Sequence, residues 1–104
     1  RWGTIKTIDA NEDDGTKSVT KRVKVIAGKA MPCHMHKSHT ETVTVISGMG
    51  KLILEGTEGD LLAGPPDSIA AGKKHAIRAV GSDLRLIEVS LGSTGDDEIV
   101  LEDC

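Results

Sequence analysis

"PCHMHKSHTETVTVISG", residues 32–48, holds three of the chain's four histidines and a glutamate within eight positions. Its second half, Thr42 to Ile46, is an unbroken β-branched run and reads as a strand. Side chains alternate along a strand, so His34 and His36 share one face. Glu41 likewise shares a face with Val43 and Val45, while Thr42 and Thr44 take the other. If the valines look into an apolar interior, Glu41 looks there too. An ionised carboxylate in that setting forfeits several kcal/mol of solvation. A divalent cation relieves the cost and accepts neutral imidazoles as further ligands. The stretch is therefore expected to be a dedicated metal site. Solvated loop histidines that chelate adventitiously are the plainer alternative.

The fourth histidine lies far away in sequence. His75 sits in "AAGKKHAIRAV", residues 70–80, after Gly72 and at the start of an apolar alternation. A ligand delivered from a remote strand is what a closed site needs, and Gly72 supplies the tight turn before it. Cys33 has the opposite parity to His34 and is expected to point away from the metal.

The rest of the chain reads as strand almost throughout. "SVTKRVKVIAG", residues 18–28, sets Val19, Val23 and Val25 on one face and Arg22 and Lys24 on the other. "TVTVIS" and "KLILEG" are joined by "SGMG" at 47–50 and read as a hairpin. "HAIRAV" and "DLRLIEVSLG" give two strands separated by a turn near Gly81. "WGTIKTI" gives another, followed by the polar stretch "DANEDDGTKS" at 9–18, expected to be a loop. "DDEIVLED", residues 96–103, is expected to form one short helix, and the acidic run around it a solvated tail. Many short strands with glycine turns indicate an all-β sandwich or closed barrel.

Composition bounds the function. At 104 residues the chain is expected to be a single domain, 1–104, with a core of Val, Ile, Leu, Met and Ala, because Trp2 is the one aromatic residue. Trp2 is expected to plug a barrel end or form a dimer contact. The formal charge of −3, with both signs mixed, speaks against a nucleic-acid partner. No run of about 18 apolar residues predicts a membrane span, and no signal peptide is visible. The chain begins "RWG" with no initiator Met, so it is read as trimmed or as one piece of a longer polypeptide. Two cysteines, Cys33 and Cys104, are expected to be free thiols in a reducing compartment, which implies a cytoplasmic protein.

The metal pattern resembles the cupins. Their first motif runs Gly, five residues, His-x-His, three or four residues, Glu, six residues, Gly. Here Gly28, "KAMPC", His34-Met35-His36, "KSHT", Glu41, "TVTVIS" and Gly48 fit every spacing. The second motif is met at Gly64, Gly72 and His75, with Ala70 and Ala79 where cupins carry Pro and Asn. A narrower resemblance covers nearly the whole chain. "RWG" is similar to the "RPWG" that opens the C-terminal cupin domain of type II mannose-6-phosphate isomerases. "LRLIEVSLGSTGDDEIVLED" is similar to that family's closing segment. Where the family has Arg, this chain has His39; where it has Arg and then Asn after the second-motif histidine, this chain has Ala76 and Ala79.

The resemblance implies a small cupin barrel, a double-stranded β-helix, in which His34, His36, Glu41 and His75 hold one divalent ion (Zn, Mn, Fe, Ni or Co). It implies isomerisation of mannose 6-phosphate to fructose 6-phosphate, a sugar phosphate being the partner. His39 is then the candidate base, on the Glu41 side and not needed as a ligand. Lys74 and Arg78, with Lys73 beside them, are candidates for the phosphate. A homodimer is expected, with the N-terminal strand as the partner-facing edge. Two alternatives share the ligand set: a cupin that binds a sugar or acid without turnover, and an iron or manganese dioxygenase or decarboxylase.

Overall fold

The computed structural model describes residues 1–93 and 98–100, with Ser93 and Glu98–Val100 described by their backbone. Ten strands follow in chain order: β1 Gly3–Asp13, β2 Thr16–Val25, β3 Ala30–His36, β4 His39–Ser47, β5 Gly50–Leu54, β6 Thr57–Leu61, β7 Asp67–Ile69, β8 His75–Ala79, β9 Leu84–Ser93 and β10 Glu98–Val100. They form two antiparallel sheets, β1-β2-β9-β4-β7 and β10-β3-β8-β5-β6. From β2 onward the chain changes sheet at every connection except β5 to β6, which is the winding of a double-stranded β-helix. No helix occurs among the described residues, and so none long and apolar enough to cross a membrane.

The core lies between the sheets. Val23, Val25, Val43, Val45, Leu52, Leu61, Ile69, Ile77, Leu84 and Leu86 are buried in it, and Trp2 and Leu54 pack against it from the side. Each such side chain contributes about 1.5–3 kcal/mol on leaving water, enough to define a core without aromatics. The inward rows change character along the barrel. On β4 the row reads His39, Glu41, Val43, Val45; on β8, His75, Ile77, Ala79; on β9, Ser90, Glu88, Leu86, Leu84. Register aligns these changes, with Glu41 opposite Ser90, Val43 opposite Glu88 and Val45 opposite Leu86. One end of the barrel interior is therefore apolar and the other polar.

Four local expectations change. The "SGMG" segment is a corner between sheets rather than a hairpin, because β4 pairs with β7 and β9 while β5 pairs with β6 and β8. A Cβ on Gly48 would lie 2.3 Å from the Asp83 carbonyl oxygen, and one on Gly50 2.4 Å from that of Arg78. The two glycines let the corner press against both β8 and the entry to β9.

Residues 9–13 are strand, not loop. β1 pairs with β2 as far as Asp13, and Asp14 and Gly15 close a two-residue turn with φ of 48° and 75°, the conformation of a type I′ hairpin. Backbone pairing with β2 holds this arm, since every residue of β1 except Gly3 is exposed.

Glu98–Val100 form a strand, not a helix, paired with His36 to His34. The backbone groups on that edge of β3 are thereby satisfied. The rest of the expected helix lies outside the described residues.

Cys33 is not a free thiol; it is buried and disulfide-bonded. The chain's other cysteine, Cys104, lies outside the described residues.

Candidate metal centre

The histidine–glutamate cluster at the polar end of the barrel is assembled from three strands. A register shift between Met31 and His34 breaks the alternation of β3, so Met31, Cys33 and His34 are all buried. After this bulge His34 stands directly opposite His75 of β8, with ring centroids 4.2 Å apart. His36 follows two residues on. Glu41 enters from β4 in the other sheet, 3% exposed. The ligand atoms of His34, His36 and Glu41 all lie within 4.8 Å of one another. Glu41 Oε1 is 3.0 Å from His75 Nε2 and 3.3 Å from His36 Nε2. Donors on a common ion at about 2.0–2.2 Å stand no more than ~4.4 Å apart, so the cluster is close to a coordinating arrangement.

The tautomers point the same way. His34 Nδ1 is 2.9 Å from the Pro32 carbonyl oxygen, and His75 Nδ1 is 3.0 Å from that of Lys73. A carbonyl accepts, so each Nδ1 carries the proton and donates it. Nε2 of the neutral ring is then a bare lone pair, oriented as metal-bound imidazoles usually are. The loop before His75 is anchored beside the site, because the Gly72 amide donates to the His36 carbonyl at 2.7 Å. Gly72 has φ of 80° and serves the turn expected of it.

The site's electrostatics call for a shared cation. Burial pushes the Glu41 carboxyl up, but His75, His36 and His34 outweigh that and hold it below the usual carboxylate range. Burial likewise pulls the His75 imidazole down, yet Glu41, the Lys73 carbonyl and the charge of Glu88 leave it raised above its ordinary value. Glu41 Oε1 and His75 Nε2 are both deeply buried, and neither makes a well-directed hydrogen bond. A carboxylate oxygen and a bare imidazole nitrogen 3.0 Å apart repel unless a positive charge lies between them. A proton can serve, and so can a divalent ion. The residues present fit the ion: three imidazoles and one carboxylate, borderline and hard donors together, suit Zn, Mn, Fe, Ni or Co.

A cavity of about 210 Å³ opens onto this cluster. His34, His36, Glu41, Lys21 and Glu88 line it with polar groups, and Trp2, Ile5, Met31 and Pro32 with apolar surface. The volume is below the ~300–1,000 Å³ of pockets for drug-sized ligands and suits a small molecule.

Four sequence-named residues do not line this cavity: His75, which meets it only through its contacts with His34 and Glu41, and His39, Lys74 and Arg78. His39 is buried at the start of β4, with its ring centroid 6.0 Å from that of His36. It occupies space left by Gly92, where a Cβ would lie 2.9 Å from the His39 ring. Lys74 sits in an exposed turn, its backbone amide and carbonyl tied to Glu55. Arg78 alternates to the outer face of β8 and is ion-paired with Glu58. Among the described residues, Lys21 is instead the cation that lines the cavity. Glu88 and Lys21 were not singled out from the sequence. The signal for Glu88 was present, because it shares parity with Leu84 and Leu86 as Glu41 does with Val43 and Val45. Trp2, expected at a barrel end or a dimer contact, lines the same cavity.

The family model described as "Mannose-6-phosphate isomerase C-terminal" matches residues 1–103. A protein of Vibrio cholerae serotype O1, named as a putative mannose-1-phosphate guanylyltransferase, is 31% identical over 105 residues. That alignment covers 98% of this chain and 22% of the relative, so the chain spans about a fifth of that protein. Among solved structures, a Klebsiella pneumoniae protein with a double-stranded β-helix domain superposes with a TM-score of 0.83 at 20% identity, covering 97% of this chain and 80% of the other. A cupin-2 domain of Rhodospirillum rubrum superposes with a TM-score of 0.80 at 15% identity, covering 97% and 66%. These two likenesses establish the cupin fold and nothing finer.

Proposed function

The chain belongs to the family of mannose-6-phosphate isomerase C-terminal domains, and from that premise we propose that it is a metal-dependent aldose–ketose isomerase domain acting on mannose 6-phosphate and fructose 6-phosphate. The observation that carries this reading is the clustered donor set of Glu41, His34, His36 and His75, of which Glu41, His34 and His36 line a small cavity. A fold family alone would not, since cupin barrels host many chemistries.

Isomerisation moves a proton between adjacent carbons and places transient negative charge on the carbonyl oxygen. A bound divalent ion would supply Lewis-acid polarisation of that oxygen. His34, His36, Glu41 and His75 would hold the ion, with the Pro32 and Lys73 carbonyls fixing the two rings whose Nδ1 they engage. Lys21 would meet the phosphate from the cavity wall, and Trp2, Ile5 and Met31 would keep water from the reacting carbons. His39 stands edge-on beside His36, off the cavity, which suits a residue that orients a ligand better than one that reaches substrate.

The test is direct. Protein loaded in turn with zinc, manganese, iron, nickel and cobalt is supplied with mannose 6-phosphate, and fructose 6-phosphate is followed by a coupled assay. Metal-dependent interconversion is the expected result. Binding of the sugar phosphate with no interconversion under any metal would overturn the enzymatic reading and leave a binding module.

A further inference from the structure

We propose that Glu88 is the carboxylate that moves the substrate proton in this cavity, an inference that rests on the isomerase reading above. Glu88 lies on the inward row of β9, 4% exposed, and lines the cavity together with His34, His36 and Glu41. Its cross-strand neighbours are Lys21 on β2 and Val43 on β4. It is therefore a second interior carboxylate on the same cavity as His34, His36 and Glu41. Interior carboxylates are costly to keep. Glu41 is balanced by the imidazoles it faces. Glu88 and its cross-strand neighbour Lys21 line the same cavity as His34, His36 and Glu41, so a ligand there meets imidazoles, carboxylates and an ammonium together.

The reaction needs a base at the cavity surface. A candidate base has to come within hydrogen-bond reach of the proton it takes. His39 does not line the cavity, whereas Glu88 does. In the aldose-to-ketose direction, the Glu88 carboxylate takes the proton from C2. The C2–H electron pair becomes the C1=C2 double bond, and the carbonyl π pair moves to O1. The protonated Glu88 then returns the proton to C1, the double-bond pair forming the new C1–H bond. The O2–H proton passes to O1 as C2=O forms. Glu88 ends as the carboxylate it began as, and no co-reactant is consumed.

The experiment compares wild type, Glu88→Gln and Glu88→Asp, each metal-loaded, with mannose 6-phosphate in D₂O. Turnover, deuterium incorporation at C1 and C2 by NMR, metal content and melting temperature are read for each. Glu88→Gln keeps the shape and loses the base, so turnover and deuterium incorporation are expected to fall together by ~10²–10⁴-fold. Metal content and KM should stay close to wild type. Glu88→Asp keeps a carboxylate set back by one methylene and should retain more of both rates than Glu88→Gln. Active wild type with a Glu88→Gln variant within about threefold of it would overturn the role of Glu88 alone. Loss of metal and melting temperature in step with turnover, equally in Glu88→Gln and Glu88→Asp, would make Glu88 a structural residue and also overturn it. A metal-loaded wild type that neither isomerises nor exchanges would sink the isomerase reading itself, and this role with it.

Discussion

Replacing Glu41 by Gln isolates the charge at the centre of the proposed site. The substitution keeps the volume of a side chain that is 3% exposed and stands 3.0 Å from His75 Nε2 and 3.3 Å from His36 Nε2. In metal-free protein near neutral pH the cost should be small. Without its counter-charge His75 can release the proton on Nε2, keep Nδ1–H on the Lys73 carbonyl, and accept a hydrogen bond from the new amide. Such an exchange is worth about 1 kcal/mol or less.

The metal-loaded protein should respond differently, because the amide cannot replace an anionic donor. Breaking a buried charge pair costs about 3–5 kcal/mol; the lower end corresponds to a roughly 100-fold loss of affinity. At metal equal to about 100 times the wild-type Kd, wild type gains ~2.7 kcal/mol of stability. The variant, then near its own Kd, gains only ~0.4 kcal/mol. With about 4–8 °C per kcal/mol in a domain of this size, metal should raise the wild-type Tm by ~10–20 °C and that of the variant by ~2–3 °C. Thermal melts with and without added metal measure this. Equal metal-induced shifts in the two proteins would refute the claim that Glu41 is a ligand.

The same contacts set a pH dependence. Glu41's depressed pKa contributes stability that is present above the ordinary value of 4.5 and lost as pH falls through the lowered one. His75's raised pKa contributes stability that is complete below 6.5 and lost as pH rises through the raised one. Metal-free protein should thus have its highest Tm between those limits, while metal affinity climbs with pH as protons leave His75; a flat Tm profile across this window would contradict the pairing. Gly92→Ala should destabilise by roughly 1–3 kcal/mol in denaturant melts, since the added Cβ would sit 2.2 Å from the Ser38 carbonyl oxygen and 2.8 Å from His39 Cα. A homodimer is expected through the β1 edge, which exposes Ile5 and Ile8 at 47% and 45% and is the kind of open edge that pairing removes. Light scattering at tens of micromolar should give twice the chain mass, and Ile8→Lys should return it to the monomer.

Much of the fold was legible because three strands carry their inward rows in plain alternation. Val43 and Val45 on β4, Ile77 on β8, and Leu84 and Leu86 on β9 are all where parity puts them. Parity also carried Glu41 and His75 into the interior, since each continues one of those rows. The connections were harder to read. Glycine at Gly48 and Gly50 serves a hairpin and an inter-sheet corner equally well, and the difference is made by Asp83 and Arg78, which are distant in sequence. Polarity misled at 9–13, because a strand paired on one edge and exposed on both faces needs no apolar row. On β3 a bulge rather than alternation decides which residues are buried.

The candidate site divides along the same line. Arg78 is three residues from His75 on one strand, so the parity that sends His75 inward sends Arg78 outward. Closeness in sequence to His75 does not bring a cation to the cavity. The cation and carboxylate that line the cavity, Lys21 and Glu88, are opposite one another across β2 and β9, a pairing that no spacing in the chain reveals. A barrel gathers its functional residues by register, and register between strands more than sixty residues apart is set by the packing of rows such as Val23 against Leu86. Leu86 thus bears on the site through geometry as well as stability: it fixes the slide of β9 against β2 and β4, and with it the positions of Glu88 and Ser90 beside Val43 and Glu41. A one-residue slip there would turn Glu88 to solvent and bring apolar β9 side chains beside the histidine–glutamate cluster.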